Sequence, residues 1–402
     1  MTTTTGAVTG TPVPEQAGAP RRLIYLLALA CGLGAANMYY CQPLLPKIAE
    51  TYHASSGATG VLVTTTQIGY AIGLMLVVPM GDMVRRRRLV CVLLCLETAA
   101  LVLSAAAPGL PVLLFAGTAV GLGASFVQVL LPYVATIAAE HERGRVMATM
   151  LTAVLLGILL SRTVAGVVGG VLGWRAMFAI AAVVAVAFAV TLAKVMAATA
   201  PDVQISYGAQ LRATWGLARS EPVLRRRSVI GACVFGSFGA FWATVAFLLA
   251  GSPYHYSAEA IGLFALVGAA GAIASKVAGR AADAGWQRPL TGLMGALGVA
   301  SFAMMWPGRS GLAWLIVAVL LMDVAVQATH LLNMSVVYSL THVPRARIAS
   351  VYMTSYFVGG ALGSASGTQA YRLWGWGGVC LVGGGFMLVA LLTWLRDAFA
   401  KR

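Results

Sequence analysis

Long apolar runs and short polar breaks alternate along nearly the whole chain. Each run is about 20 residues long, the length that an α-helix needs to cross the hydrocarbon core of a bilayer. Pro, Gly or charged residues separate the runs. The pattern predicts twelve spans, at 23–46, 58–80, 89–108, 111–138, 146–172, 176–197, 228–250, 260–280, 290–307, 311–337, 347–370 and 376–395.

The polar segments between the spans divide the chain into two bundles. The longest one, at 198–227, separates six spans from six and is interpreted as a cytoplasmic linker. We therefore expect an N-terminal six-helix bundle at 21–197 and a C-terminal six-helix bundle at 228–396. Residues 1–20 are rich in Thr, Gly and Pro and are interpreted as a disordered tail. Residues 397–402 form a second, cytoplasmic tail.

Composition and charge support a membrane protein with both termini in the cytoplasm. The chain is 59% hydrophobic and 10% charged, too few charges to cover the surface of a soluble protein of 402 residues. The net charge of +15 could by itself indicate a nucleic-acid partner. However, 22 Lys and Arg residues lie on the predicted inner side and 4 on the outer side, while Arg162 falls inside a span. This asymmetry follows the positive-inside rule and accounts for the net charge, so no nucleic-acid partner is expected.

The two predicted bundles are related by an internal repeat of about 202 residues. Gly173-Trp174 recurs as Gly375-Trp376, and Arg143 and Arg145 recur as Arg345 and Arg347. Other matches at or near this offset are Tyr39-Tyr40 with Phe241-Trp242, Gly157 with Gly359, Gln128 with His330 and Asp82 with Asp283. Two parallel six-helix repeats place a binding site between the halves, near the bilayer midplane.

The stretch PMGDMVRRRR between spans two and three carries a family resemblance. Asp82, followed by Arg86 and Arg87, resembles the loop signature G-x-x-x-D-[RK]-x-G-[RK]-[RK] of the major facilitator superfamily. Three positions depart from it, namely Val78, Met83 and Arg85. The second half has a degenerate copy, with matches at Gly279, Asp283 and Arg288 and a departure at Gln287.

Other segments extend the resemblance over about residues 21–396. The run NMYYCQPLLP in span one is similar to bacterial proteins predicted to be efflux permeases. Gly157, Gly166 and Gly170 follow the first spacings of the superfamily's antiporter motif, although Val171 replaces its Pro. Ordinary packing of small residues explains these glycines equally well. The resemblance implies an all-α integral membrane fold of twelve helices in two parallel repeats.

The resemblance also implies a role for Asp82 at a cytoplasmic gate. The carboxylate would face the N-terminal end of span eleven, where the helix dipole favours an anion. Arg86 lies one turn later and could pair with Asp82 if the helix continues between them. Arg87 and Arg88 are interpreted mainly as topology anchors. A simple topogenic cluster is the alternative for the whole stretch.

Few ionisable residues lie inside the predicted spans, and each is costly in a bilayer. Glu97 lies in span three, Arg162 in span five and Asp323 in span ten. Asp323, Gln327 and His330 fall at i, i+4 and i+7 on one helix face. A carboxylate and an imidazole on one face can hold a proton, so we assign proton coupling to Asp323, Glu97 and His330. A structural hydrogen-bonding role is the alternative for each of them.

Spans one, four, seven and ten line the central cavity according to the resemblance. Polar and aromatic residues on these spans and Arg162 are the candidate cavity residues. They are Asn37, Tyr40, Gln42, Gln128, Arg162, Trp242, Thr244, Gln327 and Asn333. Arg162 either pairs with an acid of another span or binds an anionic group of a substrate. The aromatic residues of spans one and seven either stack on a substrate or pack with one another.

These features predict a secondary active transporter that exports a small amphipathic molecule in exchange for protons. The chain has no phosphate-binding loop and no recognisable pair of nucleophile and base, so neither an ATP-driven pump nor an enzyme is expected. No catalytic, cofactor-binding or metal-binding residues are assigned. The expected partners are a small-molecule substrate, protons and the lipid bilayer, with the chain acting as a monomer. Two alternatives are a proton-coupled importer of a small organic anion and a receptor that does not transport.

Overall fold

The computed structural model describes residues 19–197, 206–269, 285–340 and 345–399, and it shows no strand in these ranges. The predicted tails at 1–20 and 397–402 lie mostly outside them. In the first half the helices are α1 (Arg21–Asn37), α2 (Cys41–Thr51), α3 (Ser56–Ile72), α4 (Arg86–Ala105), α5 (Leu110–Ala124), α6 (Phe126–Ile137), α7 (Arg143–Val171) and α8 (Trp174–Val195). Farther along the chain are α9 (Tyr207–Ser220), α10 (Pro222–Trp242), α11 (Val245–Ala250), α12 (Ala258–Phe264), α13 (Gln287–Met305), α14 (Leu312–Tyr338) and α15 (Arg345–Phe399).

The described helices confirm the all-α membrane fold. Nine helical stretches within these ranges are long and apolar enough to cross a membrane. One of them, Arg347–Phe399, folds back at Gly375 and therefore supplies two predicted spans. The stretch Gln287–Met305 has 19 residues, and the span predicted at 260–280 is described only as far as residue 269. The count of twelve crossings stays a prediction.

Three predicted spans are each built from two helices, where the sequence analysis expected one. The first breaks at Met38–Tyr40, where Pro43 has no N–H to donate to the carbonyl of Tyr39. The fourth breaks at Ser125, whose hydroxyl donates to the Leu122 carbonyl at 2.7 Å. The seventh breaks at Ala243–Thr244. There the Thr244 hydroxyl donates to the Ala240 carbonyl at 2.7 Å. At both Ser125 and Thr244 a side-chain hydroxyl thus bonds to a backbone carbonyl that would otherwise accept a helical hydrogen bond, which favours a break.

The polar linker contains a helix that the sequence analysis did not predict. Ser206 caps α9 by accepting a hydrogen bond from the Ala209 backbone N–H. The next helix, α10, begins at Pro222, six residues before the predicted start of its span at 228. We call the end of the bundle at which α9 lies the linker end, and the other end the opposite end.

The two halves pack their helices in equivalent pairs. In the first half α1 packs against α7, and α4 against α8. In the second half α10 packs against α15, and α13 packs against both α14 and α15. The halves meet where α3 lies along α15 and where α7 crosses α12.

Matched turns at the opposite end show the repeat in three dimensions. Gly173, before α8, has φ of 87°, and Gly375, inside the kink of α15, has φ of 62°. These residues lie 202 positions apart and occupy backbone conformations that residues with a Cβ rarely adopt. His53 and His255 also lie 202 apart, and both have φ of 49°.

Two tyrosines secure these turns in the same way. The Tyr52 hydroxyl donates to the Ala107 carbonyl at 2.7 Å, and the Tyr254 hydroxyl donates to the Gly308 carbonyl at 2.7 Å. The sequence analysis did not single out this pair. The two tyrosines lie 202 residues apart and their acceptors 201 apart, so these hydrogen bonds agree with the internal repeat.

The halves are in close contact at the opposite end. The hydroxyls of Thr64 on α3 and Ser364 on α15 lie 2.9 Å apart. A Cβ on Gly166 of α7 would lie 2.5 Å from the Ala258 carbonyl oxygen and 2.7 Å from the Gly262 Cα. Such a distance leaves no room for a side chain, so the backbones of α7 and α12 pack directly.

Candidate functional site

A buried arginine from α7 lies where the two halves meet. Arg162 is 4% exposed, and its Nε donates to the Gln42 side-chain oxygen on α2 at 2.6 Å. Its Nη1 donates to the Ile158 carbonyl at 3.3 Å. Its Nη2 has no hydrogen-bond partner among the described residues. One arm of the guanidinium thus remains available for another acceptor.

Three aromatic rings surround this guanidinium. The Arg162 Cζ lies 4.4 Å from the ring centroid of Trp242, 4.8 Å from that of Tyr39 and 5.7 Å from that of Phe238. Tyr39 lies in the break between α1 and α2, and Trp242 is the last residue of α10. Ring faces stabilise a cation that has been removed from water. The helix breaks therefore bring aromatic residues of both halves to one charged group.

A buried carboxylate from α14 lies on the second-half side of this site. Asp323 is 2% exposed, and its Oδ1 has no hydrogen-bond partner in the part of the chain that the structure describes. The carboxylate is close enough to feel the charge of Arg162, and both it and the Trp242 indole lie next to Gly268. Its Oδ2 lies close to Gly268, where a Cβ would approach it to 2.7 Å.

The site therefore holds a buried cation and a buried anion that do not bond to each other. Arg162 and Asp323 each keep one polar atom that no other described residue satisfies. Removing such groups from water costs several kcal/mol unless another group satisfies them. This is the arrangement expected of a binding site, because a ligand can supply the missing partners. We call Arg162, Asp323, Gln42, Tyr39, Phe238 and Trp242 the central site.

The helix face predicted on α14 is present, but its members have different neighbours. The His330 Nδ1 lies 3.3 Å from the Tyr352 hydroxyl, and its ring centroid lies 4.6 Å from that of Tyr356. Seven residues of helical rise correspond to about 10 Å, so His330 lies two turns away from Asp323 along α14. Gln327 is half-buried between them.

Asn333, farther along α14, bonds to an arginine of α10. Its Oδ1 accepts from Arg227 Nη1 at 3.2 Å, and its Nδ2 donates to the Arg227 carbonyl at 3.4 Å. Both residues are buried. These contacts join α10 to α14 within the second half, and they give Asn333 a structural partner in this conformation.

A second buried acid lies within the first half. Glu97 on α4 is fully buried and accepts from the Asn37 side-chain amide at 3.0 Å. Its Oε2 has no hydrogen-bond partner in the described ranges. Tyr40 is close enough to interact with its charge. Glu97 and Asp323 are thus separate centres, one in each half.

Two further predicted cavity residues have hydrogen-bond partners within their own halves. Gln128 on α6 donates to the Tyr70 hydroxyl at 3.2 Å. Thr244 donates to the Ala240 carbonyl at 2.7 Å and lies at the break between α10 and α11. Gln128 also borders a cavity of about 80 Å³ at the linker end.

The predicted gate motif lies at the linker end. A 3-10 turn ends at Asp82 and α4 begins at Arg86, so no continuous α-helix joins these two residues. The Nε of Arg86 donates to the Gly81 carbonyl at 3.2 Å, and Arg87 is half-buried. The Asp82 side chain lies outside the described part of the structure, as do Gly279 and Asp283.

The remaining gate residue joins two helices of the second half. Arg288 Nη2 donates to the carbonyl oxygens of Asp397 at 3.0 Å and Ala398 at 2.5 Å. These bonds connect the start of α13 to the end of α15.

Sequence reasoning missed Phe238 and the grouping of the central site. Phe238 lies four residues before Trp242 and therefore on the same face of α10, a spacing that could have identified it. The described residues contain no group of three or more His, Cys, Asp or Glu side chains that could hold a metal ion.

Comparison with known proteins identifies a family match over most of the chain. The family model described as Major Facilitator Superfamily matches residues 27–364. The putative uncharacterized transporter YgaY of Escherichia coli is 38% identical over 374 residues, covering 93% of this chain and 95% of that protein. The probable transporter SCO4007 of Streptomyces coelicolor is 34% identical over 404 residues, covering 98% and 93%.

Solved structures share the fold at low sequence identity. An inward-facing, occupied bacterial homologue of the human lysosomal transporter Spinster has a TM-score of 0.74 and 14% identity, covering 95% of this chain and 97% of that chain. The xylose transporter XylE of E. coli has a TM-score of 0.70 and 17% identity, covering 94% and 97%. The human organic anion transporter MFSD10 has a TM-score of 0.67 and 18% identity, covering 94% and 100%.

Proposed function

Because the chain belongs to the Major Facilitator Superfamily, we propose that it is a secondary active transporter that exports a small amphipathic molecule in exchange for protons. The position of the central site supports alternating access. Arg162 and Tyr39 come from the first half, and Trp242 and Asp323 come from the second. A site shared by both halves can be exposed to one side and then the other when the halves rock around it.

The observation that carries the proton coupling is the unpartnered Asp323 Oδ1 at a buried position. An ionised carboxylate in an apolar interior is costly unless a cation or a proton satisfies it. A proton on Asp323 and a cationic group of the substrate can therefore replace each other. A proton that enters across 100 mV gains about 2.3 kcal/mol, which drives the outward step. Glu97 is the second candidate carrier, since its Oε2 is also unpartnered.

The charge distribution supports the orientation in this proposal. The linker end carries the predicted inner arginines, including Arg85, Arg87 and Arg88, so it would face the bacterial cytoplasm. The opposite end, where Thr64 and Ser364 bond across the halves, would then face outward. Since the central site is formed within one chain, the transporter would act as a monomer.

Import of a small organic anion is the second candidate function. The unpartnered Arg162 Nη2 favours it, because a planar guanidinium binds carboxylates well. Flux direction under an imposed proton gradient separates the two candidates. Export predicts that an inward proton gradient drives substrate out of the cell, whereas proton-coupled import predicts that it drives substrate in.

The test combines a screen with reconstituted transport. A deletion strain and an overexpressing strain are compared against a panel of drugs and metabolites to find a transported compound. Its flux is then measured in proteoliposomes with an imposed pH gradient. We expect the gradient-driven flux of Asp323→Asn to be at least about tenfold lower than that of the parent protein, because an amide cannot carry the proton.

The matched control is Asp397→Asn, which makes the same chemical change where an acid pairs with Arg226 at the end of α15. This variant should keep its gradient-driven flux. Full gradient-driven flux in Asp323→Asn would overturn the assignment of Asp323 as the proton carrier.

A further inference from the structure

We infer that the central site takes a small zwitterion, a molecule whose anionic and cationic groups lie a few bonds apart, as in an apolar α-amino acid. This inference rests on the proposed transport function and adds the substrate class to it. The site presents one guanidinium and one carboxylate, of Arg162 and Asp323, that are 4% and 2% exposed. Each keeps one polar atom free of any partner among the described residues.

The anionic group of the substrate belongs at Arg162. Two of its three nitrogens are already used, one by the Gln42 side chain and one by the Ile158 carbonyl. These two bonds fix the plane of the guanidinium. The remaining Nη2 is a positioned donor, and charge-assisted bonds to a carboxylate are about twice as strong as neutral ones.

The cationic group of the substrate belongs at Asp323. Its Oδ1 is a buried acceptor with no donor in the described part of the chain, and its Oδ2 lies close to Gly268, which has no side chain. The carboxylate also lies beside the Trp242 indole. An ammonium bonded to Asp323 would therefore lie close to an aromatic ring, which adds a favourable cation–π interaction.

The two protein charges influence each other without satisfying each other. An ordinary bidentate ion pair would use both Nη2 and Oδ1, yet neither atom bonds to any residue within the described ranges. A simple anion would satisfy Arg162 but place a second negative charge near Asp323. A simple cation would satisfy Asp323 but place a second positive charge near Arg162. A zwitterion supplies both missing partners and keeps the whole site neutral, which an apolar interior favours.

The charge carried through one cycle follows from this assignment. Asp323 takes up one proton from the outer side and releases it to water on the inner side when the ammonium of the substrate binds. The exported zwitterion has no net charge, so each cycle moves one positive charge inward. Export of a zwitterion should therefore accelerate when the inside is made negative. Exchange of a monovalent cation for one proton would not respond to the potential.

The experiment uses the full chain in proteoliposomes and three sets of matched compounds, built on leucine, phenylalanine and tryptophan. Each set contains the free amino acid, its amide, which is a cation, and its N-acetyl derivative, which is an anion. Counterflow is measured for every compound to compare substrates. Net flux under an imposed pH gradient is measured separately, and a pH-sensitive dye in the lumen records the proton movement that accompanies it. We expect a free amino acid to exchange at least about tenfold faster than both of its derivatives, because each derivative leaves one buried charge unpaired. We also expect the net flux of the free amino acid in exchange for protons to depend on the membrane potential.

Two variants test the assignment of each charge. Arg162→Gln should reduce the preference for the free amino acid over its amide about tenfold, and Asp323→Asn should do so for the preference over the N-acetyl derivative. Arg145→Gln and Asp397→Asn, which make the same chemical changes at the linker end, should leave both preferences unchanged. Melting temperatures identify any variant that has lost its fold, and conservative Arg162→Lys should retain part of the preference.

The outcomes separate the substrate class from the transport mechanism. Fastest exchange of an amide or an N-acetyl derivative, or no exchange of any free amino acid, would overturn the zwitterion assignment. If proton movement still accompanies the amide or the N-acetyl derivative, the proposed proton coupling survives that failure. Fast counterflow of a free amino acid, combined with a net flux of that amino acid that moves no protons, would keep the substrate class and overturn the proton coupling.

Discussion

The crossing of α7 and α12 provides a direct test of alternating access. A Cβ on Gly166 would lie 2.5 Å from the Ala258 carbonyl oxygen and 2.7 Å from the Gly262 Cα. Heavy atoms that are not bonded pack best at about 3.5–4.0 Å. Replacing Gly166 with Leu therefore requires the two helices to separate by about 1 Å or more.

The Gly166→Leu substitution destabilises only the conformation in which the opposite end is closed. Inserting a side chain into a tightly packed contact costs about 1–3 kcal/mol. Because α7 and α12 belong to different halves, this cost applies only when the halves are in contact at the opposite end. A difference of about 1–3 kcal/mol changes the ratio of two conformations about 5- to 150-fold. Gly166→Leu should shift the transporter toward a conformation that is open at the opposite end.

The assay is the chemical accessibility of a cysteine at that end. All six native cysteines are replaced first, and Ser364→Cys is then introduced. Ser364 is fully buried and lies 2.9 Å from the Thr64 hydroxyl across the halves. We expect its maleimide labelling rate to rise about 5- to 150-fold in Gly166→Leu, while transport falls.

The control lies on the same helix at the linker end. A Cβ on Gly144 meets no atom within 4 Å, so Gly144→Leu should change neither the labelling rate nor transport. The melting temperature shows whether each variant is folded. A folded Gly166→Leu protein that labels at the parental rate would show that this crossing does not hold the opposite end closed.

Three further predictions concern stability and the buried polar contacts. Gln42→Leu removes the 2.6 Å hydrogen bond to the Arg162 Nε and should lower stability by about 1.5–3 kcal/mol, measured as a lower melting temperature and weaker substrate binding. An unchanged melting temperature and unchanged binding would contradict a structural role for this bond. Asn37→Leu should be similarly destabilising because it leaves Glu97 without its donor, and in thermal unfolding the double variant with Glu97→Gln should lose less stability than the sum of the two single variants. Strictly additive losses would show that the two side chains are not energetically coupled. Gly173→Ala forces a side chain into a backbone of φ 87° and should destabilise by about 1–3 kcal/mol; an equal melting temperature would indicate that the turn relaxes freely.

Much of the fold could be predicted because the hydropathy of a segment decides whether it spans the membrane, and because small residues at matching positions reveal the repeat. A run of apolar residues must be helical in a bilayer, since every backbone polar group needs a partner within the segment. The recurrence of Gly173-Trp174 at Gly375-Trp376 predicted the repeat, and the positive φ of both glycines explains why these positions match. The helix breaks at Ser125 and Thr244 were missed, because one hydroxyl per break redirects a carbonyl without changing the hydropathy pattern.

The candidate site could be predicted only in part. Burial within a span made Arg162, Glu97 and Asp323 conspicuous, and all three are indeed buried. Their partners could not be predicted, since Gln42 lies 120 residues from Arg162 in the chain. The face predicted on α14 was geometrically sound, yet its residues have separate neighbours, because different helices pack along its length.

The sequence by itself determined that this chain is a helical membrane protein, the approximate positions of the described spans, and that its two halves repeat. These properties depend on composition over about 20 residues and on periodicity, both of which are written along the chain. Only the tertiary structure decided that Arg162 and Asp323 share the indole of Trp242 and that neither satisfies the other. The physical reason is that contacts between side chains of different helices depend on how each helix is rotated about its axis and where it crosses its neighbours. Those quantities are set by side chains that pack together from distant parts of the sequence.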